Sequence, residues 1–217
     1  MTERKSVAAY PLEWPEGWPR TKFVGTSKFK TATDKARRKL LNEISLMGGT
    51  SPVINAVVPF GVTGSTATIV ATVNGTLSNS VQVPLAATAP GIFSVPPNGI
   101  SGGAMRHLDG TLVSATAPAS RNEFISVYLT GLGATNPAVG DGAAAPGAEP
   151  LARITGPVAV YVGGQPVTNV QFAGLAPTFA GLYQLNIQIP IAIASGAQSL
   201  AVQTNEGFTD MVTIWIH

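Results

Sequence analysis

Short apolar runs, some continuous and some alternating with polar residues, recur between turn signals from residue 54 to the C-terminus. They read INAVVP, TATIVATV, SNSVQVPL, EFISVYLTGLG, GPVAVYVGG, VTNVQFAGL, LYQLNIQIP, QSLAVQT and DMVTIWI. Runs of this kind, bounded by Gly, Pro, Asn and Asp, are typical of β-strands. Asn74-Gly75, Asp109-Gly110 and Gly163-Gly164 lie where hairpins need tight turns. The pattern predicts a mainly β fold, and we expect a β-sandwich.

Residues 1–50 follow a different pattern. In TATDKARRKLLNEISLMGG the apolar residues recur at helical spacing, after a threonine cap and before the glycines at its end. We therefore predict a short N-terminal α-helix, basic and amphipathic, over residues 33–47. The preceding run AYPLEWPEGWPR alternates aromatic residues with prolines. This favours an extended segment that lays Trp14 and Trp18 on a neighbouring surface.

Composition also favours a β-rich fold. Of the 217 residues 45% are hydrophobic, which is enough for a sizeable core, whereas only 11% are charged. The 24 glycines and 17 prolines indicate many short turns. The chain has no cysteine, so disulfides, thiolate metal sites and a cysteine nucleophile are excluded.

The net charge of +2 is divided unevenly along the chain. Residues 1–50 hold ten Lys or Arg against five Asp or Glu, and the remainder holds three against six, so the two parts carry +5 and −3. Such a change indicates a boundary between unrelated segments. The basic cluster, Lys35, Arg37, Arg38 and Lys39, is of the kind that contacts phosphates. We interpret this cluster as the solvent-exposed face of the helix, because most runs of charged residues are exposed helix faces. Nucleic-acid binding is the disfavoured alternative.

An internal repeat relates two parts of the β-rich region. INAVVPFGVTG…ATIVATVNGTLSNSVQV can be laid on LNIQIPIAIASG…SLAVQTNEGFTDMVTIWI at an offset of 131 residues, with Asn55 on Asn186 and Val81 on Val212. The offset is consistent with two related Ig-like units in tandem. The first unit keeps only the counterparts of the last three strands of the second. Three strands cannot close a sandwich, so we expect the leader, the second unit or another copy of the chain to cover them.

Residues 53–216 resemble a C-terminal domain of large secreted proteins of Acidobacteria such as Solibacter. The similarity runs through INAVVPFGVTGSTATIVATVNG, VPLAATAPGIFSV, DGTLVSATAPASRNEFISVYLTGLGATNPAVGDG and VTNVQFAGLAPTFAGLYQLNIQIP. It implies Ig-like sandwiches of the IPT/TIG type appended to a larger surface or secreted protein, with the first sandwich truncated on its N-terminal side. The resemblance implies no defined activity.

Residues 1–50 resemble the opening segment of small bacterial and phage J-domain-containing proteins, through AYPLEWPEGWPRTK, FK and KARRKLLNEISLMGG. The His-Pro-Asp motif by which a J-domain stimulates its chaperone partner is absent, because neither His107 nor His217, the only histidines, is followed by proline. A co-chaperone activity is therefore not expected. A junction between two unrelated families near residues 48–53 is also what a chimera, natural, engineered or generated, would contain.

One motif fits a serine hydrolase. Gly99-Ile100-Ser101-Gly102-Gly103 matches Gly-x-Ser-x-Gly, and Asp210 and His217 follow in the chain order of an α/β-hydrolase triad. The helix that should follow the serine has no counterpart in AMRHLDGTLVSATAPAS, which has no helical stripe. We therefore keep Ser101 as an outlier only and predict no catalytic residue.

Two pairs of residues, one of them containing a histidine, are weak candidates for metal binding. His107 and Asp109 would share a strand face, and Asp141 could help bind calcium with Glu149 nearby. Neither pair has the further ligands that such sites use, so we predict no metal and no cofactor. The glycines around Leu132 do not continue into a nucleotide-binding loop, and we expect a strand-end turn there.

The expected organisation has three parts. Residues 1–50 form the Pro/Trp-rich leader and basic helix, residues 51–95 a partial Ig-like unit of three strands, and residues 96–217 an Ig-like β-sandwich. We interpret the chain as a non-catalytic protein-interaction or structural module, which binds a protein partner or another copy of itself through open strand edges.

The alternative is a cytoplasmic adaptor that binds nucleic acid or a protein through the basic helix. Trp14, Trp18 and the basic cluster are the candidate partner-binding residues. No segment fits a signal peptide or a membrane span, which predicts a cytoplasmic protein without a membrane partner, whereas the Acidobacterial family is secreted.

Overall fold

The computed structural model describes residues 22–23, 53–54, 57–73, 76–95, 102–206 and 209–217. Every regular element in these ranges is a β-strand, which confirms the predicted mainly β fold. The predicted helix over residues 33–47 lies outside them. Within the same ranges there is no helix that could cross a membrane. The chain forms two compact units, the first from residues 1–87 and 140–142 and the second from residues 88–139 and 143–217.

Short strands make up the described part of the first unit. They are β1 (Lys22–Phe23), β2 (Val53–Ile54), β3 (Thr66–Ile69), β4 (Thr72–Val73), β5 (Thr76–Leu77) and β6 (Val81–Pro84). β1 and β2 pair in parallel, whereas β3 pairs with β6, and β4 with β5, in antiparallel fashion. Val73 pairs with Thr76, so β4 and β5 are antiparallel neighbours, whereas the predicted turn residues Asn74 and Gly75 lie outside the described residues.

The hairpin of β3 and β6 buries one of its two faces. Ala67, Ile69 and Val83 lie on this face and form a small core with Leu85, all of them less than one-tenth exposed. Thr68, between two of them on β3, is exposed. This alternation is the two-residue period of a strand with one buried face.

The second unit holds the remaining strands. They are β7 (Gly91–Ile92), β8 (Ser94–Val95), β9 (Gly102–Gly103), β10 (Met105–His107), β11 (Phe124–Thr130), β12 (Thr135–Asn136), β13 (Arg153–Ile154), β14 (Val158–Val162), β15 (Gln165–Pro166), β16 (Val170–Leu175), β17 (Tyr183–Gln188), β18 (Gly196–Thr204) and β19 (Thr209–Ile216).

These strands form two sheets. The β11 sheet has the order β10-β11-β17-β16-β13-β12, and β7 also pairs with β11. The β18 sheet has the order β15-β14-β18-β19-β9-β8. Neighbouring strands are antiparallel in both sheets, except that β9 and β19 run parallel.

One hydrophobic core is shared by the two sheets. Buried residues alternate with more exposed ones along β11 and β17 of the β11 sheet, and along β14 and β19 of the β18 sheet. Their inward side chains join a single cluster, whose fully buried members include Ile125, Val127, Leu129, Leu185, Ile187, Val162, Leu200, Val202 and Ile214. Burying one such side chain contributes about 1.5–3 kcal/mol. This core therefore holds the two sheets together.

Glycines allow the predicted turns of the second unit. Val162 pairs with Gln165, and the two residues between them, Gly163 and Gly164, have φ of +54° and +76°. Two positive φ values are what a two-residue hairpin turn of type I′ requires. Gly131, directly after β11, has φ of +80°, and its carbonyl oxygen accepts from the Ala89 N–H at 2.9 Å.

The repeat predicted from the sequence coincides with a shared strand register. Ile69 of β3 pairs with Val81 of β6, and the residues 131 positions later, Leu200 and Val212, also pair with each other. The same correspondence holds for all four residue pairs of β3 and β6. A shift of one residue would turn the buried face outward. The β3–β6 hairpin is therefore the structural counterpart of the β18–β19 hairpin.

The backbone at Gly131 gives a stability test with an internal control. A Cβ on Gly131 would lie 1.8 Å from the carbonyl oxygen of Ala89, whereas nothing lies within 4 Å of one on Gly110, whose φ of +86° is similar. We expect Gly110→Ala to lower the free energy of unfolding by about 1 kcal/mol through backbone strain alone. Gly131→Ala adds steric overlap, so the loss should reach about 3 kcal/mol. Urea titrations followed by circular dichroism measure both, and equal losses would contradict the packing at Gly131.

Candidate functional site

A polar cluster lies at the end of β10, in a surface depression of about 390 Å³. The depression is lined by His107, Leu108, Asp109, Thr111, Ala117, Pro118 and Glu123. It brings together one of the two histidines of the chain with two carboxylates, in a region that has few charged residues. Such a grouping is where acid–base or metal chemistry would be sought first.

The turn after β10 fixes Asp109. The main-chain N–H of His107 donates to the Thr111 carbonyl oxygen, and the Gly110 N–H donates to the His107 carbonyl oxygen, both at 3.0 Å. Asp109 Oδ1 accepts from the Thr111 main-chain N–H at 2.9 Å and from its hydroxyl at 2.7 Å. These two hydrogen bonds hold the pKa of the Asp109 carboxyl below its ordinary value. Asp109 thus stabilises the turn, as an aspartate in an Asx-turn does.

The His107 ring is held on both sides. Its Nδ1 lies 2.5 Å from Glu123 Oε1, and its Nε2 lies 3.1 Å from the carbonyl oxygen of Ala117. Both neighbours are acceptors, so the ring satisfies them when both nitrogens carry protons. The other carboxylate oxygen of Glu123 accepts from the Ser120 N–H at 2.7 Å. The pair therefore joins β10 to the loop before β11.

Two opposing effects set the charge of this histidine. Burial lowers the pKa of His107, but the hydrogen bonds to Glu123 and Ala117 and the nearby carboxylates raise it more, so the net pKa lies above 6.5. A general base or a metal ligand needs a free nitrogen lone pair. Both nitrogens of His107 are engaged, so this arrangement acts as a clamp between two segments, and we call it the His107–Glu123 clamp.

The predicted partner-binding residues fall outside the part of the chain that the structure describes. They are Trp14, Trp18, Lys35, Arg37, Arg38 and Lys39. Their roles stay predictions, and so does the alternative function through the basic helix.

The residues of the serine-hydrolase motif are not brought together as a triad. Ser101 lies outside the described residues, and Asp210 and His217 lie at opposite ends of β19. Seven residues of strand span about 23 Å, at about 3.3 Å per residue. In a triad the aspartate and the histidine share a hydrogen bond. Asp210 Oδ2 instead accepts from the main-chain N–H of Ile92 at 2.6 Å.

The acidic pairs considered for metal binding have other partners. Glu149 accepts from the Leu151 N–H at 2.8 Å and pairs with Arg153 at 3.2 Å. These contacts, the main-chain hydrogen bond first, lower the pKa of the Glu149 carboxyl. Over the described ranges, no three His, Asp or Glu side chains are grouped so that they could hold a metal ion.

Spacing along the sequence places Asp109 beside His107 but does not identify Glu123 as its partner. The signal lies in the register of β10 and β11, where His107 pairs with Ile125. Glu123 is two residues before Ile125 and therefore on the same side of the sheet, within diagonal reach of a long side chain. Aligning MRH against EFIS as a strand pair would have found it.

The clamp predicts a defined dependence of stability on pH. The folded-state pKa of His107 is raised, so its contribution is fully present below about pH 6.5 and is lost as the pH rises through the folded-state value. We expect His107→Gln to lower the free energy of unfolding by about 1–3 kcal/mol at pH 6 and by less at pH 9. Urea titrations across this range measure the difference. His217→Gln, which removes the other histidine, is the control. A loss of unfolding free energy in His107→Gln that is the same at pH 6 and pH 9 would contradict the charged clamp.

No family model matches the chain, and no curated protein or solved structure is significantly similar to it.

Proposed function

We propose that the chain is a non-catalytic, Ig-like β-sandwich module that associates through an open strand edge. In this proposal β3 of one copy pairs with β3 of a second copy. One observation carries the proposal. The β3–β6 and β18–β19 hairpins share a register, but within the described part of the chain only the β18–β19 hairpin has neighbouring strands on both sides.

The β18–β19 hairpin has a neighbour on each side. Five residues of β14 pair with residues 200–204 of β18, and Gly102 of β9 pairs with β19. In the described part of the first unit, β3 and β6 pair only with each other. A strand without a neighbour presents a row of main-chain donors and acceptors, which is a template for adding another strand.

The main-chain hydrogen bonds identify which residues of β3 point to the open edge. The carbonyl oxygens of Ser65 and Ala71 accept from Leu85 and Ser78, on the side of β6. Neighbouring residues of a strand direct their main-chain groups to opposite sides, so Thr68 faces away from β6. The counterpart of Thr68 in β18 is Ser199, whose carbonyl oxygen accepts from the Gly163 N–H at 2.7 Å, at the end of β14.

Pairing of two β3 strands fits the symmetry of common oligomers. Two identical antiparallel strands are related by a twofold axis, so each copy contributes the same edge of β3 to the pair. The result would be a four-stranded sheet with β6 at either side. Two further observations support a module without catalytic chemistry: the two sheets of the second unit share one core, as the layers of a sandwich do, and the His107–Glu123 clamp occupies both imidazole nitrogens.

Proline at position 68 tests the edge directly. The Thr68 N–H points away from β6, so Thr68→Pro removes a donor from the open edge and leaves the β3–β6 hydrogen bonds in place. We expect the wild-type chain to show a dimer mass that increases with concentration in light scattering, and Thr68→Pro to stay a monomer. Thr68→Ser keeps the N–H and is the control. A wild-type chain that is monomeric at every concentration, or a proline variant that still dimerises, would contradict pairing at this edge.

A further inference from the structure

The outward residues of β11 and β17 are neutral, and several of their side chains are hydrogen-bonded to one another. Along β11 and β17 the outward residues are half-buried and alternate with core residues. Six of them form three cross-strand pairs, and we call this set the amide face: Phe124–Gln188, Ser126–Asn186 and Tyr128–Gln184. Each aromatic ring thus lies opposite a glutamine, with a serine–asparagine pair between them.

The polar side chains of the amide face hold one another in place. Ser126 Oγ donates to Asn186 Oδ1 at 3.0 Å, and Gln184 Nε2 donates to the same oxygen at 2.7 Å. Gln188 accepts from the Asn169 side chain at 3.0 Å and donates to the Asn122 carbonyl oxygen at 3.0 Å. Side chains that are already fixed lose less conformational entropy when a ligand binds.

The network leaves hydrogen-bonding capacity unused. Over the ranges that the structure describes, the side-chain nitrogen of Asn186 and the side-chain oxygen of Gln184 have no hydrogen-bond partner. A primary amide has two N–H donors and an acceptor oxygen with two lone pairs. Donor and acceptor groups therefore lie side by side on neighbouring positions of β17.

The central strands of this region are neutral, and cations lie at its edges. β11, β16 and β17 contain no charged residue. On one side Arg106 of β10 lies opposite Ser126, and its guanidinium donates to the Gly110 carbonyl oxygen. On the other side Arg153 lies over the Phe172 ring and pairs with Glu149. A neutral ligand rich in hydroxyl groups matches the amides of β17, which carry no charge themselves.

We propose that the amide face binds a neutral oligosaccharide. Vicinal hydroxyl groups of a sugar can pair with the free donor of Asn186 and the free acceptor of Gln184. The rings of Phe124 and Tyr128 offer apolar faces for the C–H faces of sugar rings, as amphipathic aromatic side chains do for ligands with one apolar side. The two aromatic residues are four positions apart on one strand, or about 13 Å. This spacing fits a short oligosaccharide that lies along the sheet.

This inference goes beyond the proposed association through β3 and does not depend on it, because the amide face lies entirely within the second unit. The test is isothermal titration calorimetry of the full chain with three neutral polysaccharides, namely xylan, mixed-linkage β-glucan and galactomannan, and with anionic polygalacturonate. Salt at about 0.3 M suppresses long-range attraction to the basic leader.

The variants are Tyr128→Ala and Gln184→Ala. Tyr161→Ala and Gln203→Ala remove the same residue types from outward positions of the β18 sheet and are the matched controls. We expect at least one neutral polysaccharide to bind, each amide-face variant to raise its Kd about tenfold, and the controls to leave Kd unchanged. Melting curves show which variants remain folded. Because Tyr128 and Gln184 are tested separately, the other variant still decides the test if one variant does not fold.

Three results would overturn the proposal. The first is no binding heat with any of the neutral polysaccharides. The second is an equal loss of binding in the amide-face variants and in the controls. The third is binding to polygalacturonate alone that disappears in salt, since cations of the leader or Arg106, and not the neutral amide face, would then carry the interaction.

Discussion

Contact between the inner faces of the β11 and β18 sheets is the interaction on which the other features of the second unit depend. Ile125, Leu185 and Leu200 are completely buried in it, and each alternates with an outward neighbour on its strand. Because the side-chain period of a strand is two, no strand can shift by one residue without exposing its apolar side chains. The core therefore fixes which residues face outward and which outward residues lie opposite each other. The pairs of the amide face are a product of this constraint.

Most charged side chains of the second unit lie at strand ends and in loops. Arg121 Nε donates to the Ile193 carbonyl oxygen at 2.8 Å, and its guanidinium also contacts Ser195 and the main chain of His217. Asp210 binds the Ile92 N–H, and Glu123 binds the His107 ring. These groups satisfy main-chain donors and acceptors where the strand ladder stops. The surfaces of the central strands are left to neutral side chains.

The features that the sequence predicts well are those with a local cause. A Gly-Gly pair between apolar runs allows positive φ at both residues and reverses the chain, so the turn at residues 163–164 could be located in advance. The β-rich character follows from strand-length apolar runs. The repeat could be found because Val81 and Val212 keep the same place in the same pattern, and the equal register of the two hairpins agrees with it.

The features that escaped prediction depend on contacts between distant segments. Gly102 and Gly103 look like part of a hydrolase motif, yet they form β9 and pair with β8 and β19. A Cβ on Gly102 would lie 2.3 Å from the Trp215 ring, so glycine is needed there for packing. No residue near Gly102 in the sequence indicates that Trp215 packs against it. The same limit explains why Glu123 was not recognised as the partner of His107.

The equal register of the two hairpins also bears on how the chain folds. The β3–β6 hairpin, which is synthesised first, repeats the strand register of the β18–β19 hairpin. The side chains at matched positions differ in volume, since Val83 stands where the later hairpin has Ile214 and Ala71 where it has Val202. They also differ in polarity, since the buried Ala67 stands where the later hairpin has Gln198. A missing methylene in a closed core costs about 1 kcal/mol. Side chains at these positions, and not the register of strand pairing, therefore distinguish the two hairpins.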